Sequence, residues 1–463
     1  MKTERTVRAR AVSASRHLPA LVLAVATVFG AACTSLEGPE LDDPSVGQVL
    51  ETSTRSEIAA LAIGLVAAQH ARVGDFIEIL GTFGREGYTL PPAEPRPVTE
   101  RLIDPLTPFN SFVFWPGEYE LLANAFLLLE AIEASSELDQ AEKEAARGFA
   151  KTFMAAAYFQ VMITRTPLPI PVDVNRPPTE LAPLEAEEEV YRHILELFDE
   201  AEGHLRAGGS AFPFDLPPGF SAFETPAAFA RINRALKVRV LKYRGRWADV
   251  LAGLPLSFFD EEGPLELGAY LDPSFVNFLA LNRGAILFAH PRLLRDAEPR
   301  ADGSIDLRAA SKLSSVDEFT FLGITVTEQF DVYVNLTDPV PWIRNEELVL
   351  IRAEANLALG NTSAAIRDLN IVRARAGGLE PLPDPFPGDL LRQLLYEKRY
   401  SLMWEGGFTY LDARQYDRMG DDPAELPRAA PNHVVYPRFP YPINECQARG
   451  MLNDVGCQPV PGF

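Results

Sequence analysis

The chain has 463 residues, of which 47% are hydrophobic and 10% aromatic, enough to bury a sizeable core in one large domain or two to three ordinary ones. Its formal charge is −21, and residues 1–32 alone carry +4, which leaves −25 on the remainder. A surface that acidic repels phosphate backbones, and with no basic patch to offset it the composition argues against nucleic-acid binding.

Read in chain order, the first segment is an export signal. Lys2 to Arg16 is basic, and Leu18–Ala32 is an apolar run too short to span a bilayer comfortably. Gly30-Ala31-Ala32 then precedes Cys33. Small residues directly before a cysteine resemble the lipobox of bacterial lipoproteins, although Gly30 stands where that motif usually has Leu. The resemblance implies a signal peptide over 1–32 and a diacylated Cys33 that anchors the chain in a membrane. Residues 33–48 are polar and acidic (Glu37, Glu40, Asp42, Asp43) and suit a tether. The folded body is expected over 49–463.

Helical periodicity dominates that body. Leu50–Leu80 is expected to be a helix with Ile58, Leu61, Leu65 and Ala68 on one face. Gly81–Trp115 is a long Pro-, Gly- and aromatic-rich loop, and loops of that length are usually functional. Further helices are expected over Glu118–Ser135 and Gln140–Thr164, the second half of the latter being apolar all round. Glu185–Arg206 carries a stripe at Val190, Ile194, Leu197, Ala201 and Leu205. Thr225-Pro226 supplies a cap and a first-turn proline for a helix to Tyr243, with Trp247–Leu254 as its short partner. Over about 255–341 the periodicity fades and short β-prone runs appear (Ile286–Ala289, Phe319–Val326, Phe330–Val334), which marks a loop-rich insertion or a second subdomain.

The strongest pattern follows, in Pro341–Gly377. Leu348, Ile351, Ala355 and Ala358 form one apolar stripe, and Ala365, Leu369, Val372 and Ala376 form another. Gly360-Asn361 ends the first helix, Thr362 is placed to cap the second, and Gly377-Gly378 stops it. Small residues on facing stripes make this a helical hairpin of the tetratricopeptide kind. The fold class is therefore mainly α: a tetratricopeptide-like helical-hairpin scaffold with long irregular loops and minor β-strands.

The residues of this hairpin carry a family resemblance. Arg344-x-x-Glu347-x-x-Leu350-x-Arg352-Ala353-Glu354-Ala355, Gly360-Asn361, and Ala365-x-x-Asp368-Leu369-Asn370-x-x-Arg373-x-Arg375-Ala376-Gly377 resemble the SusD/RagB family of nutrient-binding outer-membrane lipoproteins. Other segments resemble it in the same order: Trp115-x-x-x-Tyr119-x-x-x-x-Asn124, the Arg165-Thr166-Pro167 turn, and the closing Tyr441-Pro442-Ile443-Asn444-Glu445. Between the last two lies Glu397-x-Arg399-x-x-Leu402-x-x-Glu405-Gly406. There the chain departs from the family, with Phe408 in the place of an Arg and Asp412 one residue late, which puts the local salt-bridge network in doubt. The resemblance implies a SusD-like binding domain over 49–463, with an insertion over about 255–341 and a C-terminal helical part over 342–463.

No catalytic constellation is legible. The six histidines are scattered, no metal-ligand spacing or phosphate loop occurs, and Asp302-Gly303-Ser304-Ile305-Asp306 reads as a solvated turn sooner than a Ca²⁺ loop. The chain is expected not to be an enzyme and to need no cofactor or metal. Candidate ligand contacts are Arg85, Tyr88, Phe109 and Phe112 in the long loop and Trp342 at a loop-to-helix junction, since aromatics stack on the apolar faces of sugars and peptides. Cys446 and Cys457 could close a disulfide in an oxidising compartment or remain free thiols. What the family resemblance implies is capture of an extracellular oligosaccharide or peptide and its delivery to a SusC-like TonB-dependent barrel. The protein would be its lid, lipid-anchored to the outer membrane and facing the exterior. The alternative is a periplasmic helical-repeat lipoprotein that adapts one protein to another.

Overall fold

The computed structural model describes residues 53–462 except 178, 274–275, 420–425 and 427–431. The signal segment, Cys33 and the tether lie outside them. Helix α1 (Arg55–Asp75) opens with a capping box, in which the Thr54 hydroxyl accepts from the Glu57 amide and the Glu57 carboxylate accepts from the Thr54 amide. Its buried face is Ile58, Ala62, Leu65, Gln69 and Val73, one position away from the expected stripe at Leu61 and Ala68. The small Ala62, rather than Leu61, turns inward against α2. The helix runs on as a wide π-type turn over Phe76–Leu80, all five residues of which are buried.

Five more helices follow: α2 (Pro116–Ala134), α3 (Gln140–Arg165), α4 (Glu187–Ala207), α5 (Pro226–Tyr243) and α6 (Trp247–Gly253). In α4 the residues read as a stripe are the ones buried. Glu187–Glu189 sit at its positive end and Arg206 at its negative end, which complements the helix dipole. Thr225 caps α5 through its hydroxyl, with Pro226 in the first turn. Each helix packs on the next, and α3 also touches α1 and α5, so the helices stack in succession.

The central hairpin continues that stack as α7 (Asn345–Ala358) and α8 (Thr362–Val372), followed by α9 (Leu390–Ser401), α10 (Phe408–Gln415) and the short α11 (Ile443–Ala448). Gly360 takes φ +79° and Gly378 +60°, the left-handed values a helix stop requires. Two details differ from the sequence reading. Asn361, not Thr362, is the residue before α8, and no side chain caps that helix. Pro341–Arg344 is not helical but belongs to a strand. Proline cannot donate in a helix interior, and Val340 and Ile343 are β-branched.

The strands are small antiparallel pairs. Gly87–Thr89 (β1) pairs with Leu287–Ala289 (β5), and Ile170–Pro171 (β2) pairs with Leu184–Glu185 (β3). Gly268–Leu271 (β4) pairs with Val340–Arg344 (β8). Leu313–Phe321 (β6) and Ile324–Phe330 (β7) form a hairpin whose two turn residues, Leu322 and Gly323, both have positive φ. The β-prone run at 319–326 therefore straddles a turn. Phe330–Val334 is no strand beyond Phe330, because the Asp338 carboxylate folds the chain back by accepting from the amides of Val334 and Asn335. The insertion is not a separate body: Leu50–Phe463 pack as one unit.

Candidate ligand groove

The first turn of α2 is the floor of a groove. Trp115 and Tyr119 stand one turn apart, with ring centroids 5.1 Å from each other, and Tyr441 lies 5.6 Å from Trp115. Arg165, the last residue of α3, is wholly buried, with its guanidinium 4.9 Å over the Trp115 ring. It donates to the carbonyls of Phe114 (2.6 Å), Val113 (2.9 Å) and Ser111 (3.3 Å). One cation thus fixes the loop that carries Phe112, including Phe114 in a left-handed conformation at φ +59°.

The other walls come from distant parts of the chain. The end of β2 and the loop to β3 contribute Pro171, Arg176, Glu180 and Leu181, and α11 with the residue that follows it contributes Asn444 and Arg449. Hydroxyls pin these pieces together: Tyr119 donates to the Pro171 carbonyl (3.0 Å), Tyr441 to Pro169 (2.5 Å), and Ser111 to Pro440 (2.7 Å). Arg449 bonds Glu445 and the Ala182 carbonyl. The Cys446–Cys457 disulfide, with a Cα separation of 5.9 Å, closes the loop that begins within α11. The resulting groove has a volume of about 470 Å³, with largely apolar walls and charged or amide groups at the rim.

A buried carboxyl lies close by. Glu118, beside Trp115, is fully buried with neither oxygen bonded, and burial pushes its carboxyl up to about 7 against the pull of Arg72 and Arg165. Partial burial also raises the half-exposed Asp75, at the end of α1, to about 6.

Of the residues singled out from sequence, Phe112 lines this groove and is 44% exposed; Phe109, in the helical turn that packs against α11, is 70% exposed. The other three are in the core and offer a ligand no surface. Arg85 donates to the carbonyls of Thr82 and Val434 at 2.9 Å each. Tyr88 packs with Leu90, Val98 and Phe288, and Trp342 stacks on Phe153 at 4.6 Å. The residues missed were Tyr119, Leu181 and Arg449. Their signal was present in the Trp115–Tyr119 spacing and the Tyr441-Pro442 turn, which meet here. A second set of exposed apolar side chains (Val276, Phe278, Leu281, Val334, Leu336) lies on two insert segments joined by the Asn277 amide and the Leu336 carbonyl. Among the described residues no group of three or more His, Cys, Asp or Glu could hold a metal ion.

The SusD family model matches residues 324–414, from β7 through α10. The fold is SusD-like. A SusD superfamily protein from Bacteroides vulgatus superposes with a TM-score of 0.63 at 14% identity, covering 86% of this chain and 98% of its own. Surface glycan-binding protein A from Bacteroides uniformis gives 0.63 at 14% identity, covering 88% and 100%. A laminarin-binding SusD-like protein gives 0.61 at 15%, covering 85% and 97%. No curated protein matches the chain by sequence.

The matched SusD segment also resolves the departure seen around Phe408 and Asp412. Asp412 is bonded to Lys242 (2.6 Å) and Lys398 (2.7 Å), and Glu354 completes the ring at 3.3 Å and 2.8 Å from the same two lysines. All four side chains are buried. A guanidinium does reach Phe408, from Arg239 on α5, 5.7 Å from the ring. A buried charge network is therefore present around Asp412.

Proposed function

We propose that this protein is an outer-membrane lipoprotein, anchored through Cys33, that captures an extracellular oligosaccharide or peptide. It hands that nutrient to a SusC-like TonB-dependent barrel, over which it acts as a lid. The observation that carries the reading is a groove with an aromatic floor on a SusD-like fold. Glycan is the better-supported ligand class, because two structural neighbours are described as binding laminarin and surface glycan. Phe112, Tyr119 and the rim groups Arg176, Asn444 and Arg449 are the ligand contacts in this reading. Capture is a binding step followed by lid motion, with no bond made or broken.

The test is a glycan and peptide library screened against the mature chain, followed by Phe112→Ala. Losing one stacking face should weaken the best ligand by roughly tenfold, equivalent to about 1.4 kcal/mol. Unchanged affinity would move the site away from the groove, with Phe278→Ala next in line on the insert. Purification from native membranes in mild detergent should bring a TonB-dependent barrel with the lipidated chain. Soluble periplasmic partners without a barrel would favour the adaptor instead.

A further inference from the structure

The apolar face of α1 contains one polar residue, Gln69, with no exposed surface. Neither its amide nitrogen nor its amide oxygen meets a protein partner. Gln160 interrupts the buried half of α3 in the same way, and its Oε1 is also unpartnered. The two glutamines share a cavity. Tyr243 on α5 lines it as well, and its hydroxyl is a fourth polar atom without a partner. Leu236 and Phe408 form apolar parts of the wall, and Arg239 closes one side while engaged with Glu347 and the Trp342 carbonyl. Buried amides and hydroxyls are nearly always bonded, because an unmade bond inside a protein forfeits what water would have supplied. Four such atoms around one space need a common explanation.

We infer that this cavity is a solvent site, holding about two water molecules that bridge Gln69, Gln160 and Tyr243. The volume is sufficient: about 60 Å³ is open to the centre of a water-sized sphere, where roughly 10–15 Å³ admits one water. The bonding capacity fits too. One water accepts from Gln69 Nε2 and donates to the Gln160 Oε1. A second donates to the Gln69 Oε1 and accepts from the Tyr243 hydroxyl. A purely apolar guest would leave all four atoms unpaired. The solvent would then be a fixed part of the junction where α1, α3 and α5 meet α10, independent of what the groove binds.

A high-resolution crystal structure of the mature chain tests this directly. The expected result is two ordered solvent peaks, one within hydrogen-bond reach of Gln69 Nε2 and Gln160 Oε1 and the other within reach of Gln69 Oε1 and the Tyr243 hydroxyl. An empty cavity, or the two amides bonded to each other, would overturn the inference. Deuteron relaxation dispersion counts long-lived internal waters in solution and supplies an independent reading. The Gln69→Leu/Gln160→Leu double variant should hold about two fewer than the parent, and an equal count would refute the site. Should that variant fail to fold, the crystal structure of the parent decides alone.

Discussion

Between α3 and α4 the buried contact is apolar, with Gly148 close against Ala201 and Leu205 and with Ile194 and Phe198 buried, while the ion pairs Lys151–Glu200 and Glu144–His204 lie at its edge. Between the insertion and α9 it is ionic. Arg308 spans Asp306 (2.6 Å) and Glu397 (2.7 Å), Arg373 spans Glu397 (2.5 Å) and Glu298 (2.8 Å), and Lys312 reaches Glu405 (3.0 Å). The lysine–carboxylate ring around Asp412 and Glu354 extends this chemistry to α5 and α7. Helices with a periodic apolar stripe can dock by burying it. An irregular segment has no stripe, and forked guanidinium–carboxylate pairs fix its position because they fit in one orientation. Such pairs lose hydration on burial, so they contribute placement more than net stability.

The largest test of this contrast is Asp412→Ala, which leaves two buried lysines facing one carboxylate. It should cost about 3–5 kcal/mol in urea denaturation. Replacing all four ring members by apolar residues of similar volume should cost far less, since no charge is then stranded. If the single and the fourfold replacements cost the same, the ring is ordinary packing and the contrast fails. On the apolar side, Ile194→Ala should cost about 3 kcal/mol, and that cost should not change with salt.

A smaller effect comes from Glu118. Its folded carboxyl titrates near 7, above the ordinary 4.5, so the folded chain holds a proton that the unfolded chain has released. The sign follows: the contribution of this group is most favourable below pH 4.5, falls as pH rises to about 7, and is level above that. Glu118→Gln should remove that part of the pH dependence, matching the parent at pH 4 and exceeding it by roughly 3 kcal/mol at pH 8. A parallel pH profile in both proteins would show that the carboxyl is not shifted. The smallest effect is Thr225→Ala, which removes the cap that accepts from the Ala228 amide at 3.2 Å and should cost about 1 kcal/mol.

Legibility in the sequence followed the same division. The stripe of α4, the cap of α5 and the glycine stops of the central hairpin were readable because helix periodicity and local capping are properties of neighbouring residues. The insertion was readable only as a loss of pattern. Its anchors pair residues such as Arg308 and Glu397, 89 positions apart, and no local rule links them. The site fared in between. In the irregular 81–115 stretch, Tyr88 and Phe112 are equivalent on the page. One is drawn into the core by pairing of β1 with β5, and the other is left at the surface by the grip of Arg165 on its loop. The departures at Phe408 and Asp412 looked like a missing network, because the cations beside them, Lys242 and Arg239, come from a helix well over a hundred residues earlier.

The groove also has a history in time. Ser111 and Pro440, which join its two sides, are 329 positions apart. A chain that emerges first residues first exposes Trp115 and Tyr119 long before the wall that faces them exists. Through that interval the aromatic floor is an uncovered sticky strip, open to chaperones and to wrong partners. The binding surface would then be the last part of the molecule to mature, and the disulfide loop behind it the final latch.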